Sequence, residues 1–436
     1  MYFFEKELRT ENGVISVPQC FQQDVVKRLV LLVCRNDETT VAHYIGALRA
    51  GHAVMLVDYT LHTDLLRTII QQYNPNYIIG LTKAEGYRYS EKQGILYSTE
   101  HIEANINKDL AVLLSTSGTT GSPKFVRLSY ENLQSNAEAI VKYLSIDANE
   151  RAIMNLPLSY SYGISIVNSH MQAGATLLLT NQSIIEKDFW LYIEQHRATS
   201  FAGVPFTYQM LRRIGFINQD LPYLKTFTQA GGHLNEKVVL EFAKYAKSKN
   251  KRFFVMYGQT EAAPRMSYIP YERLTEKVGT IGIAIPGGRF DIDRETSELI
   301  YYGDNVMMGY AESLTDLAKG DELGGVLHTG DTAEVDQDGY YKITGRLKRF
   351  IKLFGLRINL DDVERKLETE GFIVACTGND DRLIIVTTSD VTDDISDLIR
   401  SWYHLHKTAF RIHVLDELPR LSNGKLDYSA LKELYL

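Results

Sequence analysis

The sequence predicts an α/β fold of mainly parallel strands flanked by helices, and three observations carry that prediction. Short apolar runs alternate with amphipathic helical patterns along much of the chain, as expected for parallel strands buried on both faces and joined by helical crossovers. Residues 28 to 57 fit one complete strand–helix–strand unit. A third apolar run leads into a loop of glycines and hydroxyls closed by a lysine, residues 111 to 124.

The unit opens with Arg28-Leu-Val-Leu-Leu-Val-Cys34, passes a polar break and continues as a helical pattern through Tyr44, Ala47 and Leu48 that ends at Gly51. The run Ala53 to Val57 closes it. Leu65 to Tyr73 reads as helix and Tyr77 to Gly80 as strand. Ala111 to Leu114 is the next buried strand, and from Ser115 the chain reads Ser-Thr-Ser-Gly-Thr-Thr-Gly-Ser-Pro-Lys. Gly118 and Gly121 can turn backbone N–H groups toward an anion, and Ser115, Thr116, Ser117, Thr119, Thr120 and Ser122 add donors of little bulk. Pro123 stiffens the approach to Lys124, whose ammonium supplies a point charge. A helix is expected to follow at once, with Leu133, Ala137, Ile140, Val141 and Leu144 on one face and Ser129 as its N-cap. A Walker A loop is excluded, because it needs four residues between its glycines and a Gly-Lys pair; here two residues separate Gly118 from Gly121 and Pro123 precedes Lys124.

The alternation continues through the strand Ala175 to Leu179, the helix Phe189 to His196 and the segment Ser200 to Pro205. Further on, Asp338-Gly339 is a hairpin signal joining Ala333–Asp336 to Tyr340–Thr344. With 436 residues, 44% hydrophobic and 23% charged, the chain can bury the cores of two or three domains. Its net charge of −7 and scattered basic residues argue against nucleic acid as a partner. Cys20, Cys34 and Cys376 are odd in number and far apart, which predicts reduced thiols in a cytoplasmic protein, with neither a structural disulfide nor zinc. The start of the chain lacks a signal-peptide pattern, and no apolar run reaches the ~18 to 20 residues of a membrane span. A soluble protein is therefore expected. His404 and His406 read as a surface pair and not as metal ligands.

The loop Ser115 to Lys124 resembles the signature loop of the acyl-adenylate-forming (AMP-binding) superfamily, which includes acyl-CoA synthetases, adenylation domains of peptide synthetases and luciferase. Further motifs follow in the family's order. Ala47-Leu48-Arg49-Ala50-Gly51 and Asp58 resemble its early segment, preceded here by a shorter N-terminal region than in relatives. Asn155 to Gly163, with Tyr160, Tyr162 and Gly163, and Ser200 to Pro205, with Gly203 and Pro205, resemble segments lining the acyl pocket. Relatives that activate amino acids carry an Asp near Tyr160 to hold the ammonium; none lies between Asn155 and His170, which favours a simple aliphatic or aromatic acid. Gln229-Ala-Gly231-Gly232-His233 resembles the segment along the adenine. Val255-Met-Tyr257-Gly258-Gln-Thr260-Glu261 matches the Tyr-Gly-x-Thr-Glu motif; the family implies Tyr257 against adenine, Thr260 toward phosphate and Glu261 as a ligand of Mg²⁺.

Gly279 to Gly288 and Tyr302 to Tyr310 resemble the family's β-rich subdomain. His328-Thr-Gly-Asp331 is expected to set Asp331 at a strand-end turn facing the ribose diol, with Arg346 as a further ribose and phosphate contact. Lys348 falls at the family's hinge, dividing an AMP-binding domain of residues 1–347, trimmed at its start, from a small mobile α+β domain of residues 348–436. In that domain Lys352, Gly355 and Arg357 resemble the loop that meets the pantetheine thiol, and Lys425 the catalytic lysine.

Joining a carboxylate to ATP brings two anions together, so the site must supply positive charge. The resemblance implies ATP-dependent formation of an acyl-AMP with release of pyrophosphate, then transfer to a phosphopantetheine thiol of coenzyme A or an acyl or peptidyl carrier protein. Lys425, Thr260 and Glu261 would be catalytic; Thr116, Ser117, Gly118, Thr119, Thr120, Gly121, Lys124 and Gly258 would join the nucleotide site. The alternative is a non-catalytic nucleotide-binding or regulatory member of the fold. The 27 Tyr and 17 Phe do not reveal which aromatic residues line the pocket.

Overall fold

The computed structural model describes residues 1–21, 26–100, 105–115, 124–347, 349–353, 356–421 and 424–436, at Arg357 the backbone alone. The expected residues Thr116, Ser117, Gly118, Thr119, Thr120, Gly121, Lys348 and Gly355 lie outside this range. Among the described residues two large sheets form the frame, one of eight strands and one of nine.

The centre of the eight-stranded sheet is parallel, with Leu110–Ser115, Ala53–Asp58, Leu29–Cys34 and Tyr77–Ile79 side by side. Every residue of Leu29–Cys34 is buried, which is why its sequence is continuously apolar. The helix Glu38–Arg49 connects it to Ala53–Asp58; Asp37 caps that helix by accepting from the N–H of Thr40, and Gly51 takes φ +77° just beyond it. The outer strands of this sheet are antiparallel, so it is mixed. In the nine-stranded sheet Thr176–Leu179, Arg151–Met154, Ser200–Gly203, Thr226–Gln229 and Arg252–Gly258 run parallel, and Arg265–Tyr268 turns back along the last of them. The helices Tyr130–Leu144 and Ser161–Ala173 pack on each other and share one apolar core with strands of both sheets.

A strand, Phe125–Ser129, separates the glycine loop from the helix that was expected to follow at once. It pairs antiparallel with Leu110–Ser115. The sequence hides this strand because Arg127 reads as a surface residue. In the fold Arg127 is fully buried, and its guanidinium donates to the carbonyls of Tyr310 (3.1 Å), Met308 (3.1 Å), Lys319 (2.5 Å) and Gly320 (3.2 Å) and to Glu322 (2.5 Å). Those partners stand far along the chain, and with them a buried cation is tolerated. Ser129 is the N-cap of Tyr130–Leu144, accepting from the N–H of Asn132 at 3.0 Å, a contact worth about 1 kcal/mol.

Four antiparallel strands, Arg289–Ile292, Glu298–Tyr302, Val326–Val335 and Tyr341–Arg346, make the β-rich part. Asp331 is not at a strand-end turn: it lies inside the ten-residue strand Val326–Val335. Gly330 takes φ +71° there and the register shifts between Thr332 and Ala333, so the sequence of a kinked strand looks locally like a turn. Pairing with Tyr341–Arg346 carries the strand through the kink and sets Asp331 opposite Arg346.

Past residue 350 come a hairpin, Phe350–Leu353 with Leu356–Asn359, and a three-stranded sheet of Val374–Asn379, Arg382–Thr387 and Phe410–Val414. Val363 and Leu367 of the helix Leu360–Thr369 and Ile395 and Ile399 of Thr392–Tyr403 close an apolar core with Cys376 and Ile385. No helix among the described residues is long and apolar enough to cross a membrane.

Candidate active site

The strand Arg252–Gly258 ends at a tight reversal that leads back into Arg265–Tyr268. Gly258 makes that reversal possible, because a Cβ there would stand 1.8 Å from the carbonyl oxygen of Pro264. Thr260 and Glu261 sit on the reversal. Thr260 Oγ1 lies 3.1 Å from Ser161 Oγ at the start of the helix Ser161–Ala173. Glu261 Oε1 accepts from the hydroxyl of Tyr310 at 3.0 Å, and Lys124 Nζ lies 3.5 Å from the centre of the same ring. The carboxylate of Glu261 and the ammonium of Lys124 thus meet on Tyr310. No hydrogen bond among the described residues engages the second oxygen of Glu261, so this carboxylate suits a hard cation that takes its other oxygen ligands from phosphate and water.

Beside this loop Asp331 is held firmly. Its Oδ2 accepts from the hydroxyl of Tyr257 at 2.5 Å and from Gln259 Nε2 at 3.0 Å, and its Oδ1 from Arg346 Nε at 3.2 Å. A carboxylate offers about four acceptor positions, so one remains open on the Oδ1 side. Burial and the neighbouring charge of Asp331 push the Tyr257 phenol well up, which keeps it a neutral donor.

Tyr160 stands where the C-terminal part reaches the large one. Lys425 Nζ lies 5.3 Å from the centre of the Tyr160 ring. Gly424, before it, takes φ +79° and packs so close to Val204 that a Cβ would come within 3.0 Å of its Cγ2. Arg420 stacks on Phe206 at 4.6 Å. Gly231, at φ +86°, leaves room for the Tyr160 hydroxyl, which a Cβ would meet at 2.4 Å. Gly232 lies against Pro205, the first residue of the helix Pro205–Arg213, and Gln229 Nε2 holds the turn through the Gly232 carbonyl at 2.9 Å. Burial lowers the pKa of the Lys425 amine, and Arg346 lowers it further against an opposing pull from Glu261.

A family model for AMP-binding enzymes matches residues 22–311 of this chain, about two thirds of its length. The chain belongs to that family. Among curated members it is 24% identical over 443 residues to the D-alanine–D-alanyl carrier protein ligase of Staphylococcus aureus, covering 94% of this chain and 90% of the relative. Among solved structures it is similar to the o-succinylbenzoate CoA synthetase of Bacillus subtilis in complex with its acyl-adenylate intermediate, with a TM-score of 0.72 and 21% identity over 94% of this chain and 89% of that one. The ATP-bound MatB of Rhodopseudomonas palustris gives a TM-score of 0.73 at 20% identity, over 95% and 90%. With 94% of this chain covered, these likenesses extend beyond residue 311.

Several residues singled out by the family motifs therefore gather at one place: Tyr160, Gly231, Thr260, Glu261 and Lys425, with Tyr257, Asp331 and Arg346 alongside. Others are held tightly by their neighbours. Gly163 approaches the Pro157 carbonyl, where a Cβ would stand at 2.1 Å, and a Cβ on Gly203 would strike the Tyr208 ring at 2.8 Å. The hydroxyl of Tyr162 shares a hydrogen bond of 2.7 Å with Thr228. Lys352 is exposed, pairs with Arg357 across the hairpin, and donates its N–H to Asp380 at 2.8 Å. Sequence reasoning missed Gln259, Ser161 and Tyr310. Gln259 is the variable residue of its motif and Tyr310 ends a glycine-punctuated stretch, so only spatial neighbours mark them.

His233 faces the C-terminal part, 3.9 Å from Glu368 on the helix Leu360–Thr369. Asn235 Nδ2 and Lys237 Nζ donate to the carbonyls of Glu368 (3.2 Å) and Thr369 (3.1 Å). Burial, reinforced by Glu364 and opposed by Arg365, raises the Glu368 carboxyl to about 7. Burial, with Arg365 and Lys342, lowers the pKa of His233, which Glu236 partly opposes. A carboxyl raised above its unfolded value favours the fold fully below that value and loses the contribution as pH climbs through the folded one. Glu368 is accordingly expected to contribute a fall in melting temperature as pH rises through about 7, against an opposite contribution from His233, and Glu368→Gln is expected to remove the falling contribution. An unchanged slope in the variant would assign the dependence to other groups.

Proposed function

We propose that this chain activates a carboxylic acid with ATP and hands the acyl group to a phosphopantetheine thiol. The observation that carries the reading is Lys425 on the face of Tyr160, delivered from the C-terminal part to a site whose remaining groups come from the large sheets. In the first step a carboxylate oxygen bonds to the α-phosphorus of ATP, the bond from that phosphorus to the β-phosphate oxygen breaks, and pyrophosphate leaves. Lys425 would neutralise charge on the attacking and bridging oxygens, and Lys124 charge on the departing phosphates. Glu261 would hold Mg²⁺, which when bound neutralises phosphate charge. Thr260, positioned through Ser161, would donate its hydroxyl to a phosphate oxygen.

Asp331 would accept from the ribose through its open position, with the half-exposed Arg346 giving way or turning to phosphate. Tyr257 and the Gly231–His233 segment would flank the adenine. Tyr160, Tyr162, Gly203 and Pro205 would border the acyl chain. In the second step the thiol sulfur bonds to the acyl carbon, its proton goes to solvent, and AMP leaves. We assign residues 348–436 as the domain that turns for this step about Lys348, bringing the hairpin of Lys352 and Arg357 in place of Lys425. The curated relatives are named for a carrier protein and the structural neighbour for coenzyme A. Both acceptors end in the same arm, and the enzyme is proposed to recognise that arm.

The test is carboxylate-dependent exchange of labelled pyrophosphate into ATP across a panel of acids, followed by acyl transfer to coenzyme A and to a carrier protein bearing phosphopantetheine. Exchange with a defined acid class supports the reading, and transfer to one acceptor alone identifies the thiol. ATP binding without exchange for any acid, despite a folded protein, counts against adenylation.

A further inference from the structure

Behind Tyr162 lies a small cavity of about 30 Å³, lined by the helix Ser161–Ala173, the helix Tyr130–Leu144 and strands of the nine-stranded sheet. Its unusual member is Arg265. This side chain is only 4% exposed, yet its Nε has no hydrogen-bond partner. Among the described residues no carboxylate forms an ion pair with it, whereas buried Arg127 is joined to Glu322 and Arg252 to Glu150. The surroundings of Arg265 are aromatic and neutral: its guanidinium lies 3.8 Å from the centre of the Tyr162 ring, and Tyr143 and Tyr160 stand close enough to feel its charge.

The backbone of Arg265, by contrast, is pinned. Its carbonyl accepts from Asn136 Nδ2 and Asn305 Nδ2, each at 2.9 Å. The position is fixed while the cation is left uncompensated. No other group in the cavity balances it. Glu150 is taken by Arg252 and by the hydroxyl of Thr199, and Arg252 itself donates to Thr226 and to the Leu144 carbonyl. His170 donates through Nδ1 to the Ile166 carbonyl at 2.8 Å, and burial lowers its pKa to about 4, so it is neutral at pH 7. A guanidinium stays protonated at any working pH, and a buried charge without a partner is strongly unfavourable. Such a charge is tolerated where a ligand supplies its counter-ion.

We propose that the acid activated here carries a second anionic group, a carboxylate at the far end of a short acyl chain, and that Arg265 receives it. The proposal rests on the adenylation reading and supplies its substrate class. Two cations then bracket the acyl group: Lys425 on Tyr160 beside the reacting carboxylate, and Arg265 on Tyr162 at the other end, the two rings 6.2 Å apart. A simple α-amino acid is disfavoured, since it brings no second anion to Arg265.

The experiment compares dicarboxylic acids of two to six carbons with monocarboxylic and amino acids of equal length, in wild type, Arg265→Met and Arg265→Lys. Two readouts are taken, pyrophosphate exchange and the melting temperature with each acid in the absence of ATP. Wild type is expected to favour one diacid over its monoacid by at least about 100-fold in kcat/KM, mostly through KM, as for a site built around a buried polar partner. Arg265→Met is expected to lose that preference while binding ATP normally, and to melt no lower than wild type, because it removes an unpaired charge. Arg265→Lys should keep part of the preference, and if the Met variant does not fold the comparison rests on Lys. Exchange with monoacids or amino acids in preference to every diacid overturns the proposal and leaves adenylation standing. Stabilisation of wild type by a diacid, lost in the variants but without exchange, upholds the Arg265 site and removes the adenylation reading. No diacid effect in either readout overturns the proposal.

Discussion

Lys425→Ala is expected to reduce acid-dependent pyrophosphate exchange by roughly 100- to 1,000-fold, the loss seen when one charge-stabilising donor is removed from a site where charge develops. ATP binding should change little, because Asp331 and Tyr257, proposed to flank the nucleotide, belong to the large part of the molecule. The loss should therefore fall on kcat. The amine stabilises charge only while protonated, and burial together with the nearby Arg346 lowers its pKa. Exchange in the wild type should consequently decline on the alkaline side at a lower pH than that of a free lysine amine, and this limb should be missing from the residual activity of the variant. A variant within a few-fold of wild type, or one with an unaltered alkaline limb, would remove Lys425 from the first step.

Gly258→Ala should be nearly as damaging, through geometry and not charge. The added Cβ would stand 1.8 Å from the Pro264 carbonyl oxygen and 2.9 Å from its carbonyl carbon. Both are backbone atoms, so no flexible side-chain end can move aside. The reversal between Arg252–Gly258 and Arg265–Tyr268 must open, and it carries Thr260, Glu261 and the approach to Arg265. Overpacking of this kind costs about 1–3 kcal/mol of stability. Displacing reacting groups by about 1 Å lowers rates by about 100-fold. Unfolding by denaturant and exchange kinetics on the same preparation would report the two effects separately. Wild-type stability with wild-type exchange would show that the reversal has slack which the close approach does not suggest.

Much of the molecule could be read from the chain because the relevant physics is local. An apolar run such as Leu29 to Cys34 must be buried on both faces, whatever it pairs with. Ser129 caps a helix because its hydroxyl meets an N–H three residues on. The motif around Tyr257 to Glu261 announces itself because a strand, a glycine and a tight reversal are consecutive in sequence.

What sequence left open depends on register between distant segments. Arg127 and Arg265 are both arginines that the chain alone would place at the surface; strand pairing buries both, giving one a carboxylate and four carbonyls and the other an aromatic ring. Asp331 looked like a turn residue until its strand continued through the kink, and only pairing across to Tyr341–Arg346 set it against Arg346. Tyr310 joins Lys124 to Glu261 because Gly309–Ala311 lies beside Phe125–Ser129. By itself the sequence determined the buried parallel strands such as Leu29–Cys34, the helix cap at Ser129, the family motifs and the choice of Lys425. The tertiary structure alone decided which charges are compensated, because burial and partnership are properties of neighbours in space, and that difference singles out Arg265.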